Sequence, residues 1–407
     1  MPTSWTLSPK VFSAESSPIR EILKVTEKPD IISFAGGLPA PELFPVQELE
    51  RACQAALVQN GHKALQYSLS AGTHELRTFL AERYQRRGID LTEENILITS
   101  GSQQGLDLMG RAFLDQRAVV LTENPTFLGA IQAFRGYQPL IETVEMDEER
   151  LLLNQTEDKL ARFRPRLIYT IPDFQNPTGK TLSQPRRKEL VKLAEEFNLP
   201  IVEDSAYEDL RYFGQELPSL KKIGGDSVIQ LGSFSKIIAP GFRVGWVAAS
   251  TKIMPILEKL KQPLDLHTSS FAQHVIWQFC QDGRLDSHIK TLKASYSSRR
   301  DAMLKALEER MPEYACWTKP EGGLFIWVQL PKGTDASRLL QEALKEKVAF
   351  VPGAKFFPNG GGENTFRLSY STASPDKISE GVEKLAGVIR RNASVRPNVK
   401  PEELLKD

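Results

Sequence analysis

A lysine, two serines and an arginine lie within residues 231–243, and most of their neighbours are apolar. Lys236 stands close to a phenylalanine and two isoleucines, and burial among such residues lowers the pKa of a lysine because it disfavours the charged form. The neutral amine can then attack a carbonyl carbon and form a Schiff base. Ser233, Ser235 and Arg243 carry donors suited to a phosphate. The segment therefore predicts a covalently bound ligand with a phosphate group.

A ligand for this segment needs both an aldehyde and a phosphate, and pyridoxal 5'-phosphate (PLP) carries both groups. An exposed turn with a solvated lysine is the alternative interpretation, because a motif as short as Ser-x-Ser-Lys also occurs by chance. The choice between the two depends on the segments that surround Lys236 in the folded chain.

Short apolar runs alternate with amphipathic stretches between about residues 95 and 250, a pattern typical of βαβ units and a largely parallel sheet. The predicted strands are residues 96–99, 118–122, 167–170, 201–204, 228–231 and 244–249. The clearest helix between them is predicted over residues 186–197, where apolar side chains recur at helical spacing. Ligands of open α/β sheets bind at the carboxyl ends of the strands, so the residues that follow each strand are the candidates for a site.

Polar or aromatic residues follow four of these strands in succession. They are the turn Ser100, Gly101, Ser102 and Gln103, then Phe127, then Asn176, and then Asp204 with Tyr207. The turn leads into a helix whose first N–H groups can hold a phosphate, while Phe127 can stack on a planar ring and Asn176 and Tyr207 can contact a ring oxygen. Asp204 ends an apolar strand and needs a partner such as a protonated pyridine nitrogen. A turn, a core residue or a helix cap explains each residue singly, but their coincidence favours PLP.

The order of elements changes after about residue 290 and becomes typical of an α+β domain. We predict a helix at 294–310, a strand at 323–330, a helix at 336–347, a strand at 365–370 and a last helix at 375–390. The predicted division is an N-terminal arm with a substrate-recognition segment (1–50, part of the small domain), a large PLP-binding domain (51–290) and a C-terminal small domain (291–407). The tail from Asn392 is expected to be frayed.

Composition excludes several classes of function. Lysine plus arginine (52) nearly equals aspartate plus glutamate (51) in the 407 residues, so no global field favours nucleic acid or an anionic membrane. The sequence has no signal-peptide pattern and no long apolar span, which predicts a cytoplasmic protein. Its three cysteines lie far apart and its histidines show no ligand spacing, so neither a disulfide framework nor a metal site is expected.

Six segments with defined spacing match one known family. They are Tyr67-Ser-x-x-x-Gly72 with Leu76-Arg77, Ser100-Gly-Ser-Gln-Gln104, Asn176-Pro-Thr-Gly179, Asp204-x-x-Tyr207, Ser233-x-Ser-Lys236 with Arg243, and Phe366-Arg367-Leu-Ser369. Over nearly its whole length the chain resembles the fold type I PLP-dependent aminotransferases of classes I and II. The resemblance implies an α/β fold, with a mostly parallel central sheet in the large domain and a smaller α+β domain. It also implies a homodimer whose active site is shared between subunits.

The resemblance implies roles for these residues. Lys236 would form the covalent aldimine with PLP and act as the base of transamination, Asp204 would pair with the pyridine nitrogen, and Asn176 and Tyr207 would contact the ring oxygen. Arg367 lies on an apolar strand, where an unpaired guanidinium is costly, and would clamp the α-carboxylate of the substrate; a structural ion pair is the alternative.

The same resemblance implies a phosphate site and a stacking residue. The phosphate would be held by the turn from Ser100 and Gly101 to Ser102 and Gln103, by Ser233, Ser235 and Arg243, and by Tyr67 from the neighbouring subunit. Phe127 would stack on the ring, at a position where many relatives carry tyrosine.

Residues 31–45 are similar to the N-terminal signature of the 2-aminoadipate and kynurenine aminotransferase group. Gly36 and Gly37 in this segment let backbone approach a substrate closely. Arg20 is predicted in the first turn of a helix, where the dipole disfavours a cation, so a nearby anion would justify it. In similar enzymes an arginine here serves the side-chain carboxylate of a dicarboxylic substrate, whereas solvent exposure is the alternative. The predicted reaction is ping-pong transfer between 2-aminoadipate or glutamate and 2-oxoglutarate.

Other functions stay open at this point. Aromatic, branched-chain or kynurenine-type donors are alternatives because related pockets are permissive, and a PLP-dependent lyase is another because one cofactor site supports several chemistries. A PLP-sensing transcription regulator is the non-enzyme alternative. It would need an N-terminal DNA-binding domain, yet residues 17–77 already hold aminotransferase-like segments, so no such domain is expected.

Overall fold

A computed structural model describes residues 30–392 of the chain. Its strands are β1 (Ile32–Ser33), β2 (Ile96–Thr99), β3 (Val119–Asn124), β4 (Leu140–Asp147), β5 (Arg150–Leu151), β6 (Leu167–Thr170), β7 (Ile201–Asp204), β8 (Val228–Ser233), β9 (Gly245–Ala248), β10 (Cys316–Trp317), β11 (Phe325–Gln329), β12 (Val348–Ala349), β13 (Val351–Pro352) and β14 (Thr365–Ser369).

The α-helices of the same part fall between and after these strands. They are α1 (Val46–Ala64), α2 (His74–Arg86), α3 (Ser102–Phe113), α4 (Leu128–Arg135), α5 (Leu153–Phe163), α6 (Gln184–Glu196), α7 (Leu220–Gly224), α8 (Met254–Asp265), α9 (Ser270–Cys280), α10 (Arg284–Arg310), α11 (Ala336–Lys345) and α12 (Pro375–Asn392). Among these helices, none combines the length and the apolar character that a membrane crossing requires.

The large domain is built on an eight-stranded sheet in the order β2-β9-β8-β7-β6-β3-β4-β5. Strands β8, β7, β6, β3 and β4 run parallel, while β9 lies antiparallel between β8 and β2. Every residue of β2, β6, β7 and β8 is buried, as expected for strands covered on both faces. The predicted α/β fold with a mostly parallel central sheet is confirmed.

The sheet order decides which loops meet. Strands β6, β7 and β8 are consecutive neighbours with the same direction, so their carboxyl ends lie side by side at one edge of the sheet. Asp204 is the last residue of β7, and the segments that follow β6 and β8 carry Asn176 and Lys236. Residues that are far apart in sequence are therefore brought together in the region where such sheets bind ligands.

The small domain contains a four-stranded antiparallel sheet in the order β10-β11-β14-β13. The N-terminal strand β1 pairs in parallel with β12, and Ser369 N–H donates to the carbonyl of Phe34 at 2.8 Å. Phe34 is completely buried, and a Cβ on Gly381 of α12 would lie 2.5 Å from its ring. Residues 30–37 are therefore attached to the C-terminal part of the chain before they lead to the edge of the sheet.

Most predicted elements agree with the structure to within two residues, and the exceptions have physical reasons. The sequence does not predict strand β4, because the strand is partly exposed and acidic residues such as Glu142 and Glu145 interrupt its apolar residues. Helix α10 begins ten residues before the predicted start at 294, although Leu285, Ile289 and Leu292 already recur there at helical spacing. This helix is continuous across residue 290, the position of the predicted domain boundary. The prediction of a frayed tail concerns residues beyond 392, outside the described part.

Candidate active site

A cavity of about 270 Å³ lies at the carboxyl ends of β6, β7 and β8. The predicted site residues that line it are Gly37, Ser102, Gln103, Phe127, Asn176, Asp204, Tyr207, Ser233, Ser235, Lys236, Arg243 and Arg367. The small domain contributes Arg367 from β14, and the segment after β1 contributes Gly37. The wall of the cavity therefore includes residues from the N-terminal and the C-terminal parts of the chain.

Lys236 ends a short 3₁₀ turn, Phe234–Lys236, that follows β8 directly. The turn is fixed by Ser233, whose Oγ accepts from the N–H of Ser235 at 3.1 Å. The amine of Lys236 is partly buried and donates to the carbonyl of Gly37 at 2.7 Å. Burial, helped by the charges of Arg367 and Arg243, lowers the pKa of Lys236 to about 8, against the opposing effect of Asp204. About one tenth of the amine is then neutral at pH 7.

Asp204 is the last residue of β7, and its side chain is buried. Its Oδ2 accepts from the hydroxyl of Tyr169 at 3.0 Å, and its Oδ1 accepts from the N–H of Ala206 at 3.3 Å. Burial raises the pKa of Asp204 to about 6, although these two hydrogen bonds and the charge of Lys236 oppose the shift. The carboxyl group is therefore mostly ionised at neutral pH and carries a buried negative charge beside the cavity.

Arg367 lies on β14 and is only 1% exposed. Its Nη1 donates to Oδ1 of Asn176 at 2.7 Å and its Nη2 donates to the carbonyl of Ala35 at 2.7 Å, while the guanidinium sits 4.2 Å from the ring centre of Phe325. Its Nε has no hydrogen-bond partner, and within residues 30–392 no carboxylate pairs with it. Burial lowers the pKa of Arg367 to about 10. A buried guanidinium with unused donors is suited to a carboxylate ligand.

The opposite end of the cavity gathers donors around the first turn of α3. Gly101 caps this helix with a φ of 77°, and a Cβ there would lie 2.5 Å from Nη2 of Arg243. Glycine therefore lets the guanidinium approach the free N–H groups of the helix. Nη1 of Arg243 lies 3.5 Å from Oγ of Ser235. A helix N-terminus, a guanidinium and serine hydroxyls together form a donor set for a phosphate.

Other predicted site residues do not line the cavity. The hydroxyl of Ser100 donates to Oδ2 of Asp265 at 2.7 Å, which ties the turn to α8. Gly36 is buried beside the cavity rather than in its wall, and Tyr67 is 79% exposed on the surface. Arg20 lies outside the described residues. The roles of these residues stay predictions.

The sequence analysis missed several residues around the site. Leu38, Ile171, Ala206 and Pro240 complete the wall of the cavity. Tyr169 contacts Asp204 from behind the wall. The sequence places Tyr169 near the carboxyl end of the predicted strand 167–170, which marks it as a candidate. It does not show that Asp204 on the next strand is the partner of Tyr169.

A buried polar network holds the loop that carries Asn176. Glu123, at the end of β3, forms an ion pair with Arg150, whose guanidinium also donates to the carbonyl of Ile171. Glu123 accepts from the hydroxyl of Thr170 at 2.6 Å and from Nε2 of Gln175 at 3.0 Å. Glu123 and Arg150 are both completely buried. The network therefore fixes the chain on both sides of the turn that leads to Asn176.

Comparison with known proteins gives consistent matches over nearly the whole chain. The profile of the family described as aminotransferase class I and II matches residues 35–385. The aromatic-amino-acid aminotransferase 1 of Thermococcus litoralis is 43% identical over 390 residues, which cover 94% of each chain. The 2-aminoadipate transaminase of Thermus thermophilus is 46% identical over 381 residues, 92% of this chain and 94% of that protein. The structure of a kynurenine aminotransferase from Pyrococcus horikoshii, in complex with PMP, has a TM-score of 0.92 at 42% identity and covers 96% of this chain and 98% of that one.

The Glu123–Arg150 pair leads to a stability prediction. Replacing Arg150 by methionine leaves Glu123 as an unpaired buried charge, so the free energy of unfolding should fall by about 3–5 kcal/mol. Adding Glu123→Gln should recover part of this loss because it removes the unpaired charge. Urea unfolding followed by circular dichroism measures both changes. Lys159→Met is the matched control, since its partner Glu142 is partly exposed and the loss should be at most about 1 kcal/mol. Equal losses for the two single variants would contradict the prediction.

Proposed function

The chain belongs to the class I and II aminotransferase family, and we propose that its amino donors are 2-aminoadipate and glutamate, with 2-oxoglutarate as the acceptor. It is a PLP-dependent aminotransferase, and the choice of donor is the proposed part. The observation that supports transamination best is one cavity that holds the partly neutral amine of Lys236, the buried carboxylate of Asp204 and the guanidinium of Arg367.

The donors and acceptors of the cavity fit PLP. When bound, PLP supplies an aldehyde that joins covalently to an amine and a pyridine ring that withdraws electrons from the substrate Cα. We assign the phosphate to Arg243, to the serines of the Lys236 turn and to the first turn of α3, where Gly101 makes room for the guanidinium. Asp204 would hold the proton on the ring nitrogen, Asn176 and Tyr207 would contact the ring oxygen, and Phe127 would pack on the ring face.

The remaining residues act on the substrate. Arg367 would bind the α-carboxylate through its unused donors, which orients the Cα–H bond toward Lys236. The neutral amine of Lys236 would accept the Cα proton and return it at the cofactor carbon, and the carbonyl of Gly37 is placed to accept a hydrogen bond from the same nitrogen. Release of a 2-oxo acid completes one half-reaction, and a second 2-oxo acid reverses the steps.

The proposed donor rests on two observations. A relative that is 46% identical is a 2-aminoadipate transaminase, and Arg20 supplies a cation that a second carboxylate could use. Relatives of similar identity are named for aromatic amino acids and kynurenine, so the same cavity wall is compatible with other side chains. We therefore assign the choice of donor to residues other than those that would hold the cofactor.

A homodimer with shared sites is part of the proposal. Five large apolar side chains near the carboxyl end of α1 and just after it are strongly exposed; they are Leu57, Val58, Leu65, Tyr67 and Leu69. Leu57, Val58 and Leu65 line one surface depression, and exposed apolar side chains grouped in this way are typical of a surface that another protein covers. Tyr67 is exposed and does not line the cavity of its own subunit, as expected if it serves the partner's site.

The cytoplasmic location also stays a proposal. Cys53, Cys280 and Cys316 are free thiols in the structure, and unpaired cysteines are typical of a reducing compartment.

The lowered pKa of Lys236 predicts how covalent attachment of PLP depends on pH. Only the neutral amine reacts, so below pH 8 the attachment rate to ligand-free protein should rise about tenfold per pH unit and then level off. Borohydride trapping followed by mass spectrometry measures this rate. Lys236→Arg keeps a positive charge and should show no attachment at this position. A rate that is constant between pH 6.5 and 9 would contradict the proposed state of the amine.

The donor proposal is tested by a screen of amino donors with 2-oxoglutarate as the acceptor, and with pyruvate for glutamate, because the exchange of glutamate with 2-oxoglutarate gives no net product. We expect the highest kcat/KM for 2-aminoadipate and glutamate. Arg20→Ala should lower kcat/KM for these two donors about 10- to 100-fold, since a charged hydrogen bond is lost, and should leave leucine within about threefold. Arg162→Ala, which removes an exposed arginine of α5, is the control and should change neither class. Equal losses for both donor classes would remove Arg20 from specificity.

The shared site is tested by mixing two inactive subunits. Lys236→Ala lacks the reacting amine, and Tyr67→Ala should bind PLP weakly. In a co-expressed mixture, half of the dimers are mixed and each contains one site with both residues intact, so activity should recover to about one quarter of wild type. No recovery would mean that Tyr67 acts within its own subunit, and a fully active Tyr67→Ala protein would mean that Tyr67 does not act at all. Sedimentation of the wild-type protein measures the oligomeric state directly.

A further inference from the structure

Tyr169 is a fully buried tyrosine that touches Asp204 but does not line the cavity. We propose that Tyr169 is a positioning residue that keeps Asp204 ionised and directs its free lone pairs toward the ring nitrogen of the cofactor. The inference rests on the proposed function of the cavity and concerns a residue behind its wall.

The sheet fixes the two residues relative to each other. Tyr169 pairs with Val202 in the parallel register of β6 and β7, and Asp204 follows two residues later on β7. The hydroxyl of Tyr169 donates to Oδ2 of Asp204 at 3.0 Å, and its ring packs edge-to-face against Phe134 at 5.7 Å between centroids. Strand pairing and ring packing therefore leave the hydroxyl little freedom to move away.

The two oxygens of Asp204 are held unequally. Oδ2 receives the hydroxyl of Tyr169, whereas Oδ1 receives only the longer hydrogen bond from Ala206 N–H at 3.3 Å. Each carboxylate oxygen can accept about two hydrogen bonds, so capacity is left for a donor in the cavity. The contact from behind fixes the rotation of the carboxylate and leaves this capacity on the cavity side.

The surroundings of the pair make Tyr169 the donor of this hydrogen bond and Asp204 the acceptor. Burial and the nearby carboxylate raise the pKa of Tyr169 well above its ordinary value, so the hydroxyl stays protonated and acts as the donor. Burial raises the pKa of Asp204, and the Tyr169 hydroxyl is the leading influence that lowers it again. The other groups that face the pair are Lys236, Arg150 and the neutral Tyr207. Without the hydroxyl, a smaller share of Asp204 would be ionised at neutral pH.

The test uses Tyr169→Phe, which removes the hydroxyl and keeps the ring packed on Phe134. The visible absorbance of bound PLP reports the proton on the nitrogen that joins Lys236 to the cofactor. A less ionised Asp204 leaves less positive charge on the ring nitrogen, so this proton is repelled less and the midpoint of the absorbance change should move to higher pH. The dissociation constant of PLP should rise about tenfold, and kcat should fall about tenfold with KM for the amino donor within about threefold. Circular dichroism checks folding, and Tyr169→Met serves as the second variant if the phenylalanine variant is unstable.

A double-mutant cycle separates this role from general damage to the core. In an Asp204→Asn background, Tyr169→Phe should change neither the absorbance midpoint nor the PLP dissociation constant, because the two residues act through one contact. Tyr84→Phe is the matched control, since Tyr84 is also buried but its hydroxyl accepts from Trp246 Nε1 at 3.0 Å, away from the cavity.

Two results would overturn the inference: an unchanged absorbance midpoint and PLP affinity in Tyr169→Phe, or additive effects in the cycle. A wild-type protein that binds PLP without transaminating would contradict the proposed function alone, because absorbance and affinity still report on Tyr169. A wild-type protein that binds no PLP would contradict both.

Discussion

Removal of charged side chains from water is the constraint on which the site depends. Burial lowers the pKa values of Lys236 and Arg367 and raises the pKa of Asp204, because the charged form of each group loses its hydration. Two of these groups are cationic and one is anionic, so the cavity favours a ligand with negative charge. The same burial that costs stability leaves an amine neutral enough to react and a guanidinium with unused donors.

Contacts between distant segments of the chain hold these buried charged groups in place. Arg367 of the small domain donates to Asn176 of the large domain and to the carbonyl of Ala35 in the N-terminal segment. Lys236 in turn donates to Gly37 of the same segment. The N-terminal segment thus contacts both the guanidinium of Arg367 and the amine of Lys236. A change in its position would alter both contacts at once.

Much of the fold and most of the cavity wall could be predicted from local sequence. Strands β2, β6 and β7 have the predicted bounds because strands buried on both faces are mostly apolar runs between turn residues. Asn176, Asp204 and Lys236 could be proposed as one site because each lies at or after the carboxyl end of such a strand. Ser100 shows the limit of this argument: its position next to the helix start is correct, yet its side chain turns to Asp265, which no local pattern specifies.

The sequence by itself determined the main strands of the large sheet, the family and most of the residue types that line the cavity. Only the tertiary structure decided which buried groups touch: Tyr169 against Asp204, Arg150 against Glu123, and Arg367 against Asn176. The reason is physical. Apolar periodicity and turn residues act over a few positions and can be read locally, whereas the partner of a buried polar group depends on the order of strands in the sheet and on the packing of two domains.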